Sequence, residues 1–164
     1  MTHNQIVRRL RYILNYSDAE MIQLFALAGY EVDMQEMQDI LRKNDDPEIL
    51  ELSDKMLAVF LNGLIIHFRG PQEGGIPEPE EKLDNNAILR KIKIALQLKS
   101  EDMLEMYRLA DKPISPHELS SFFRNPSQKQ YRLCNNQYLR HFLLGLQLMK
   151  QKKPVEGEQN SDLQ

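Results

Sequence analysis

The chain has 164 residues, 41% of them hydrophobic, with one cysteine and a net charge of −3. This length suits one domain or two small ones with a buried core. The single cysteine excludes an intrachain disulfide and fits a reducing cytoplasm. No segment reaches the roughly 18 apolar residues of a membrane span, and the first residues carry no secretory signal.

The sequence repeats itself with an offset of 82 residues. Residues 4–68 align without a gap over residues 86–150, and 14 of these 65 positions are identical, where average composition gives roughly four. The motif F-L-x-G-L occurs at 60–64 and again at 142–146. The sequence therefore predicts a tandem duplication.

Each repeat is predicted to contain four helices. The first spans about residues 4–16, with its counterpart at 86–98, and presents an apolar stripe at helical spacing. The sequence SDAE at 17–20 is a capping-box pattern that opens the second helix, and its counterpart begins near Ser100. Cap residues followed by glutamate open the third helix at DMQE (33–36) and SPHE (115–118).

The fourth helix is apolar on nearly every side and is expected to be buried. It runs to about residue 68 in the first repeat and 150 in the second. Gly63 and Gly145 lie in its middle, where glycine costs about 1 kcal/mol relative to alanine. Because both repeats contain this glycine, we expect another helix to cross closely at that point.

These elements predict an all-α protein, a tandem duplication of a four-helix unit with pseudo-twofold symmetry. The first helical repeat covers residues 1–70, and a linker rich in proline, glycine and acidic residues covers 71–85. The second helical repeat covers 86–150, and a tail predicted to be disordered covers 151–164.

The chain contains, in this order, the motifs LRYIL, LRK, FLNGLI followed by FRG, and CNNQYLRHFLLGLQ. In these motifs the chain resembles the YehS-like bacterial family of uncharacterised proteins, known as domain of unknown function 1456. The resemblance covers about residues 1–150. It implies the fold of that family and no established activity.

The first helix of each repeat has a basic outer face that could bind a nucleic acid or another polyanion, because guanidinium groups suit phosphate contacts. Alternatively, these faces are solvated or pair with the acidic linker. An apolar residue lies beside the bases at the same helical angle in both repeats and marks a candidate interface. The basic candidates are Arg8, Arg11, Arg90 and Lys93, and the interface candidates are Tyr12 and Ile94.

Arg42 and Arg124 are predicted to end the third helix of each repeat. They either complement the helix dipole or form a symmetric anion site. Helices two and three could also form a helix-turn-helix, but two acidic residues precede the bases of the candidate recognition helix. An ordinary helical hairpin is favoured.

No catalytic, metal or cofactor site is predicted. Cys134 and His141 lie seven residues apart, two helical turns, which is too far for a nucleophile–base pair. The histidines show no metal-ligand spacing. We therefore expect a cytoplasmic, non-enzymatic interaction module with an unknown protein partner. Nucleic-acid binding is the alternative, and a homodimer also stays open.

Overall fold

The computed structural model describes the backbone of residues 1–162 and the side chains of residues 1–152. Every regular element in this part of the chain is helical, which confirms the all-α class. The helices are α1 His3–Leu14, α2 Asp18–Leu27, α3 Met34–Ile40, α4 Asp54–Arg69, α5 Asn85–Leu96, α6 Ser100–Leu109, α7 Pro116–Ser121 and α8 Asn136–Asp162.

The helix starts follow the cap signals of the sequence. The Ser17 hydroxyl accepts a hydrogen bond from the Glu20 amide, and the Glu20 carboxylate accepts one from the Ser17 amide. Asp33 and Ser115 form the equivalent boxes at α3 and α7. Each box satisfies two backbone donors that a helix start otherwise leaves without partners.

Several helix ends differ from the prediction. α1 stops at Leu14 because Asn15 adopts a left-handed conformation, with φ of 57°. α3 stops at Ile40 and α7 at Ser121, so Arg42 and Arg124 lie beyond these helices and do not end them. α8 continues past residue 150 to Asp162. The tail predicted to be disordered falls mostly on residues 153–164, whose side chains lie outside the described part.

The mid-helix glycines have the packing reason that the sequence predicts. A Cβ atom built on Gly63 of α4 would overlap the backbone carbonyl of Leu24 in α2. A Cβ atom on Gly145 of α8 would overlap the carbonyl of Met106 in α6 in the same way. The missing side chain lets two helix backbones approach, and this offsets the low helix propensity of glycine.

The chain divides into two compact units, residues 1–98 and residues 99–164. Unit 1 contains α1 to α5 and unit 2 contains α6 to α8. α5 opens the second sequence repeat, yet it packs along α4 in unit 1. Leu57 to Leu64 of α4 are all buried, because α2 and α5 each cover part of this helix. The compact units therefore do not coincide with the sequence repeats.

The linker is fixed to unit 1 at its C-terminal half. The Leu83 amide donates to Asp54 Oδ2 at 2.8 Å, and the Leu83 side chain is buried. The Glu80 carboxylate lies 3.1 Å from Lys91 Nζ of α5. One alternative from the sequence, a basic helix face paired with the acidic linker, is thus realised by Lys91.

No helix in the described part of the chain is both long enough and apolar enough to cross a membrane.

Candidate functional site

Unit 2 contains an open cleft of about 410 Å³. The turn 111–114 forms one side, and Glu118 of α7 contributes to the wall. The other side is the start of α8, with Gln137, Tyr138 and His141. We call this the unit 2 cleft. Its walls combine charged, aromatic and apolar groups, the mixture typical of binding sites.

Glu118 is held in place by the residues around it. Its Oε2 atom accepts hydrogen bonds from Arg132 at 3.2 Å and from the Tyr138 hydroxyl at 3.4 Å. Its other oxygen accepts from the Ser115 amide at the start of α7. The Tyr138 ring packs against Phe122 with centroids 5.0 Å apart. The Glu118 side of the cleft is therefore a fixed and locally neutralised wall.

Lys112 of the turn and His141 of α8 lie beside the carboxylate of Asp111 in the lining of the cleft. Partial burial and the charges of Lys112 and Arg140 lower the pKa of His141, so the imidazole is neutral at pH 7. Lys112 is exposed in the turn beside it. A carboxylate that entered the cleft here would meet the Lys112 ammonium and favour the protonated form of His141.

The start of α8, which lines the cleft, is fixed to the core of unit 2. The Tyr107 hydroxyl donates to the backbone carbonyl of Tyr138 at 2.9 Å, which fixes the start of α8 on α6. The Tyr107 side chain is buried, and burial raises the pKa of its hydroxyl. The shape of the cleft is thus set by the core of unit 2.

In unit 1 the linker passes over the equivalent place, where Ile76 is 57% exposed. The offset of 82 residues maps the turn 111–114 onto residues 29–32 and the start of α8 onto the start of α4. Ile76 of the linker lies against Gly29, with its Cδ1 atom 3.5 Å from a Cβ built there. Lys55 Nζ lies 3.5 Å from Glu81, and the Tyr30 hydroxyl and this carboxylate raise the pKa of Lys55.

Two neighbouring positions of the fourth helix are buried and apolar in unit 1 but more exposed and polar in unit 2. Val59 of α4 is 1% exposed, whereas His141 at the same position of α8 is half-buried. Ala58 is buried, whereas Arg140 at the matching position is exposed. The surface that the chain covers in unit 1 is open and polar in unit 2.

A second cavity, of about 320 Å³, lies at the N-terminal end of unit 1 beside His3. His3 Nε2 lies 2.7 Å from Asp54 Oδ1, and the hydrogen bonds from His3 and from the Leu83 amide lower the pKa of Asp54. Asn4 is buried and bonds to the backbone of Ile40, Leu50 and Leu52. This polar group joins the helices to the loop at 49–52 and already has its partners.

The predicted basic residues of unit 1 are occupied by protein acceptors. Arg8 donates to the Arg42 carbonyl at 2.6 Å and to Asn44 Oδ1 at 3.1 Å. Arg11 pairs with Asp18 at 3.0 Å through Nη2, whereas its buried Nε has no acceptor among the described residues. Partial burial lowers the pKa of Arg8. The structure thus brings Arg8 and Arg42 together, but their polar groups are directed at the protein.

Arg42 lies at the centre of an acidic cluster. Its Nε donates to Asp39 at 2.9 Å, its Nη1 lies 3.2 Å from Asp46, and its Nη2 lies 3.4 Å from Glu48. The hydrogen bonds to Asp39 and Asp46 raise the pKa of Arg42. These carboxylates outnumber the arginine, so this position holds no excess of positive charge.

In the second repeat, Arg90 is exposed and Lys93 is half-buried. Lys91, which the sequence analysis does not select, donates to Asn62 Oδ1 at 2.7 Å as well as pairing with Glu80. Arg124 differs from its counterpart Arg42: its Nε is buried and has no hydrogen-bond acceptor among the described residues.

The interface candidates face outward, as the helical angle predicts. Tyr12 is 64% exposed and Ile94 is 40% exposed. Both are large apolar side chains on otherwise basic faces. Their role as an interface stays a prediction.

Residues with metal-binding side chains do not cluster in the described part of the chain, where no three histidine, cysteine, aspartate or glutamate residues lie close enough to hold an ion. The Cys134 thiol is buried. The sequence analysis missed Lys112, Tyr138 and the role of Glu118 in the cleft. One sequence signal could have indicated this cleft: the residue before the repeated F-L-x-G-L motif is Val59 in the first copy and His141 in the second.

The chain matches, over residues 3–70 and 85–151, the model of a family described as a protein of unknown function, DUF1456. The two matches cover both repeats, and the chain belongs to this family. It is 36% identical over 147 residues to an uncharacterised protein of Escherichia coli strain K12 called YehS. The aligned region covers 89% of this chain and 94% of the relative. No solved structure matches the chain.

Proposed function

We propose that this protein is a non-enzymatic binding module of the cytoplasm, and that the unit 2 cleft takes an extended acidic segment of a partner protein. One observation carries the proposal. In unit 1 the linker lies along the equivalent surface, with a half-exposed Ile76 against Gly29 and with Glu81 beside Lys55. The chain thus contains an example of the kind of segment that fits this surface.

Lys112 offers a cation to an acidic occupant, although the carboxylate of Asp111 stands beside it at the position of Gly29. Lys112 stands at the position that Tyr30 has in unit 1. Its ammonium group is therefore close to the place in unit 2 that corresponds to the Lys55–Glu81 ion pair of unit 1. Glu118 is already neutralised by Arg132, so it opposes an acidic ligand less than a lone carboxylate would. Pro113 and Ile114 offer an apolar surface to a side chain like Ile76. We propose no catalytic step, and Cys134, the one thiol of the chain, is buried.

We expect an affinity on the order of 10–100 µM, because exposed ion pairs contribute at most about 1 kcal/mol each. The linker belongs to the same chain as the unit 1 surface it lies on, so its effective concentration there is high and weak contacts are enough to hold it. A partner segment binds without this advantage.

The test uses a fluorescein-labelled peptide of residues 71–84, PQEGGIPEPEEKLD, and the full chain. Fluorescence anisotropy should show saturable binding that weakens between about 50 and 200 mM salt. Lys112→Glu should weaken binding at least about tenfold, because it places a like charge beside the acidic segment. Lys99→Glu makes the same change at an exposed position outside the cleft and should leave the affinity unchanged.

Equal losses in both variants would mean that only net charge matters, and the proposal would be wrong. Absence of binding at about 1 mM peptide would also contradict it. If removal of residues 153–164 strengthens binding, the cleft serves the chain's own C-terminal segment and not a partner.

The polyanion alternative has less support in the geometry, since Arg8, Arg11 and Arg42 bond to acceptors within unit 1. A titration with a duplex and a single-stranded oligonucleotide separates the two functions. Nucleic-acid binding would weaken steeply with salt, by roughly a hundredfold or more between 50 and 200 mM, and would be lost in Arg90→Glu and not in Lys112→Glu.

A further inference from the structure

The loop after the third helix has the same backbone conformation in both repeats. In unit 1 the Leu50 amide donates to the Asp39 carbonyl, and in unit 2 the Arg132 amide donates to the Ser121 carbonyl. Two further hydrogen bonds recur at matching positions. They join Asp46 to Lys43 and Ile49 to Asp46 in unit 1, and Gln128 to Asn125 and Tyr131 to Gln128 in unit 2.

The side chains on this common backbone are different. The three carboxylates that surround Arg42 come from residues 39, 46 and 48. The equivalent residues are Ser121, Gln128 and Gln130. The second repeat thus keeps the arginine, Arg124, and has lost every acid that neutralises its counterpart.

The replacements do not serve as acceptors for Arg124. The Ser121 hydroxyl donates to the Glu118 carbonyl, and the Gln128 side-chain oxygen accepts from the Asn125 amide. Arg124 forms no ion pair with any described residue, and its buried Nε has no acceptor there. A guanidinium group stays charged at every relevant pH, and a buried donor without an acceptor is rare and unfavourable.

We propose that Arg124 is the centre of an oxyanion site, which binds a carboxylate or phosphate group in the place that Asp39, Asp46 and Glu48 occupy around Arg42. A carboxylate and a phosphate each present two neighbouring oxygens that can accept from two nitrogens on one edge of a guanidinium. The side-chain amides of Gln128 and Gln130 are neutral and exposed, so they can donate to the same anion without repelling it. This inference is independent of the unit 2 cleft.

Arginine side-chain NMR tests the site directly. In the full chain labelled with ¹⁵N, the Nε–H signal of Arg124, assigned from its loss in Arg124→Lys, should shift and saturate as sodium phosphate replaces sodium chloride at constant ionic strength. The Nε–H signal of Arg42 is an internal control and should not move, because Asp39 already accepts from it.

A separate titration with sodium acetate distinguishes the two sources of oxyanion. Saturation by phosphate alone assigns a phosphate group, saturation by acetate alone assigns a carboxylate, and saturation by both assigns a general oxyanion site. The double variant Gln128→Asp/Gln130→Glu restores two of the acids found in unit 1. It should weaken binding at least about tenfold, since the new carboxylates compete for the guanidinium.

The proposal is overturned if the Arg124 signal moves no more than that of Arg42 at about 20 mM phosphate, which would saturate a millimolar site. It is also overturned if the double variant binds as tightly as the wild type. Gln128 and Gln130 are exposed, so their replacement leaves the packing of unit 2 intact.

Discussion

The ammonium group of Lys91 donates a hydrogen bond of 2.7 Å to the side-chain oxygen of Asn62, and this bond joins α5 to α4 inside unit 1. Asn62 is 2% exposed, and its Nδ2 has no acceptor among the described residues. Lys91 also pairs with Glu80 at 3.1 Å. A single side chain therefore connects two helices and the linker.

Lys91→Met should destabilise the protein by about 1–3 kcal/mol, because it leaves the buried Asn62 amide without its partner. The double variant Lys91→Met/Asn62→Leu should recover most of that loss, since it removes both polar groups together and places at position 62 the residue found at Leu144 in the second repeat. Urea unfolding of the four proteins of this cycle measures the coupling. Additive effects would show that the hydrogen bond does not stabilise unit 1.

Gly63→Ala and Gly145→Ala should each lower stability by about 2 kcal/mol or more, although alanine is the better helix former. In each case the new methyl group meets a backbone carbonyl, of Leu24 or Met106, which cannot rotate away. Thermal unfolding followed by circular dichroism gives the change in Tm. Gln147→Ala, a half-buried position of α8, controls for helix propensity, and an unchanged Tm in the glycine variants would refute the close contact.

The pKa of His141 should lie below its ordinary value of 6.5, because the side chain is partly buried and Lys112 and Arg140 are close. Lys112→Gln should raise this pKa toward 6.5, whereas Lys129→Gln, outside the cleft, should not. An NMR titration of the imidazole signals from pH 4 to 8 measures both. A lowered folded-state pKa means that the unfolded chain binds the proton more tightly, so the contribution of His141 to stability is present above pH 6.5 and is lost as the pH falls below it.

The NMR titration of His141 can also test whether the proposed acidic peptide binds in the unit 2 cleft. An acidic peptide bound in the unit 2 cleft should raise the pKa of His141, because a nearby carboxylate favours the imidazolium. By linkage, peptide binding should then strengthen as the pH falls through the pKa of His141 in the complex. A pKa that stays constant on saturation with peptide would place the ligand away from this wall.

Asp54 should make the stability of unit 1 sensitive to acid. Hydrogen bonds from His3 and the Leu83 amide hold its pKa below the ordinary value of 3.8. Its contribution is therefore present above pH 3.8 and is lost as the pH falls through the lower, folded-state pKa. Asp54→Asn should flatten this part of the profile of unfolding free energy against pH. An unchanged profile would show that the linker and His3 do not depend on this carboxylate.

Much of the fold could be predicted from the sequence because its signals are local. The cap pairs at Ser17 and Ser115 each involve residues within one turn, so they predict helix starts without knowledge of the tertiary structure. The apolar pattern around Phe60 and Phe142, with a glycine at the same place in both copies, predicts a buried helix and a close crossing. Helix ends were less predictable, because Gln97 ends α5 in the left-handed conformation although glutamine carries no such signal, unlike Asn15 at the end of α1.

The candidate site was less predictable, since its residues come together only through contacts distant in sequence. The sequence of α1 shows that Arg8 and Arg11 are on its basic face, but it does not show which acceptors from other segments bond to them. The acids around Arg42 lie in a loop whose conformation brings three carboxylates to one guanidinium. Only the comparison of the two loops shows that Arg124 lacks these partners.

The sequence by itself determined the duplication, the all-α class and the two glycine crossings, because hydrophobic periodicity and steric limits act within single helices. The tertiary structure decided which surfaces are covered. α5 packs on α4 and the linker lies against Gly29, so that Val59 is buried, whereas His141 at the matching position of α8 is half-buried beside an open cleft. Periodicity shows that a helix face is apolar, but the choice of its covering element depends on chain connectivity and on the side chains that meet it.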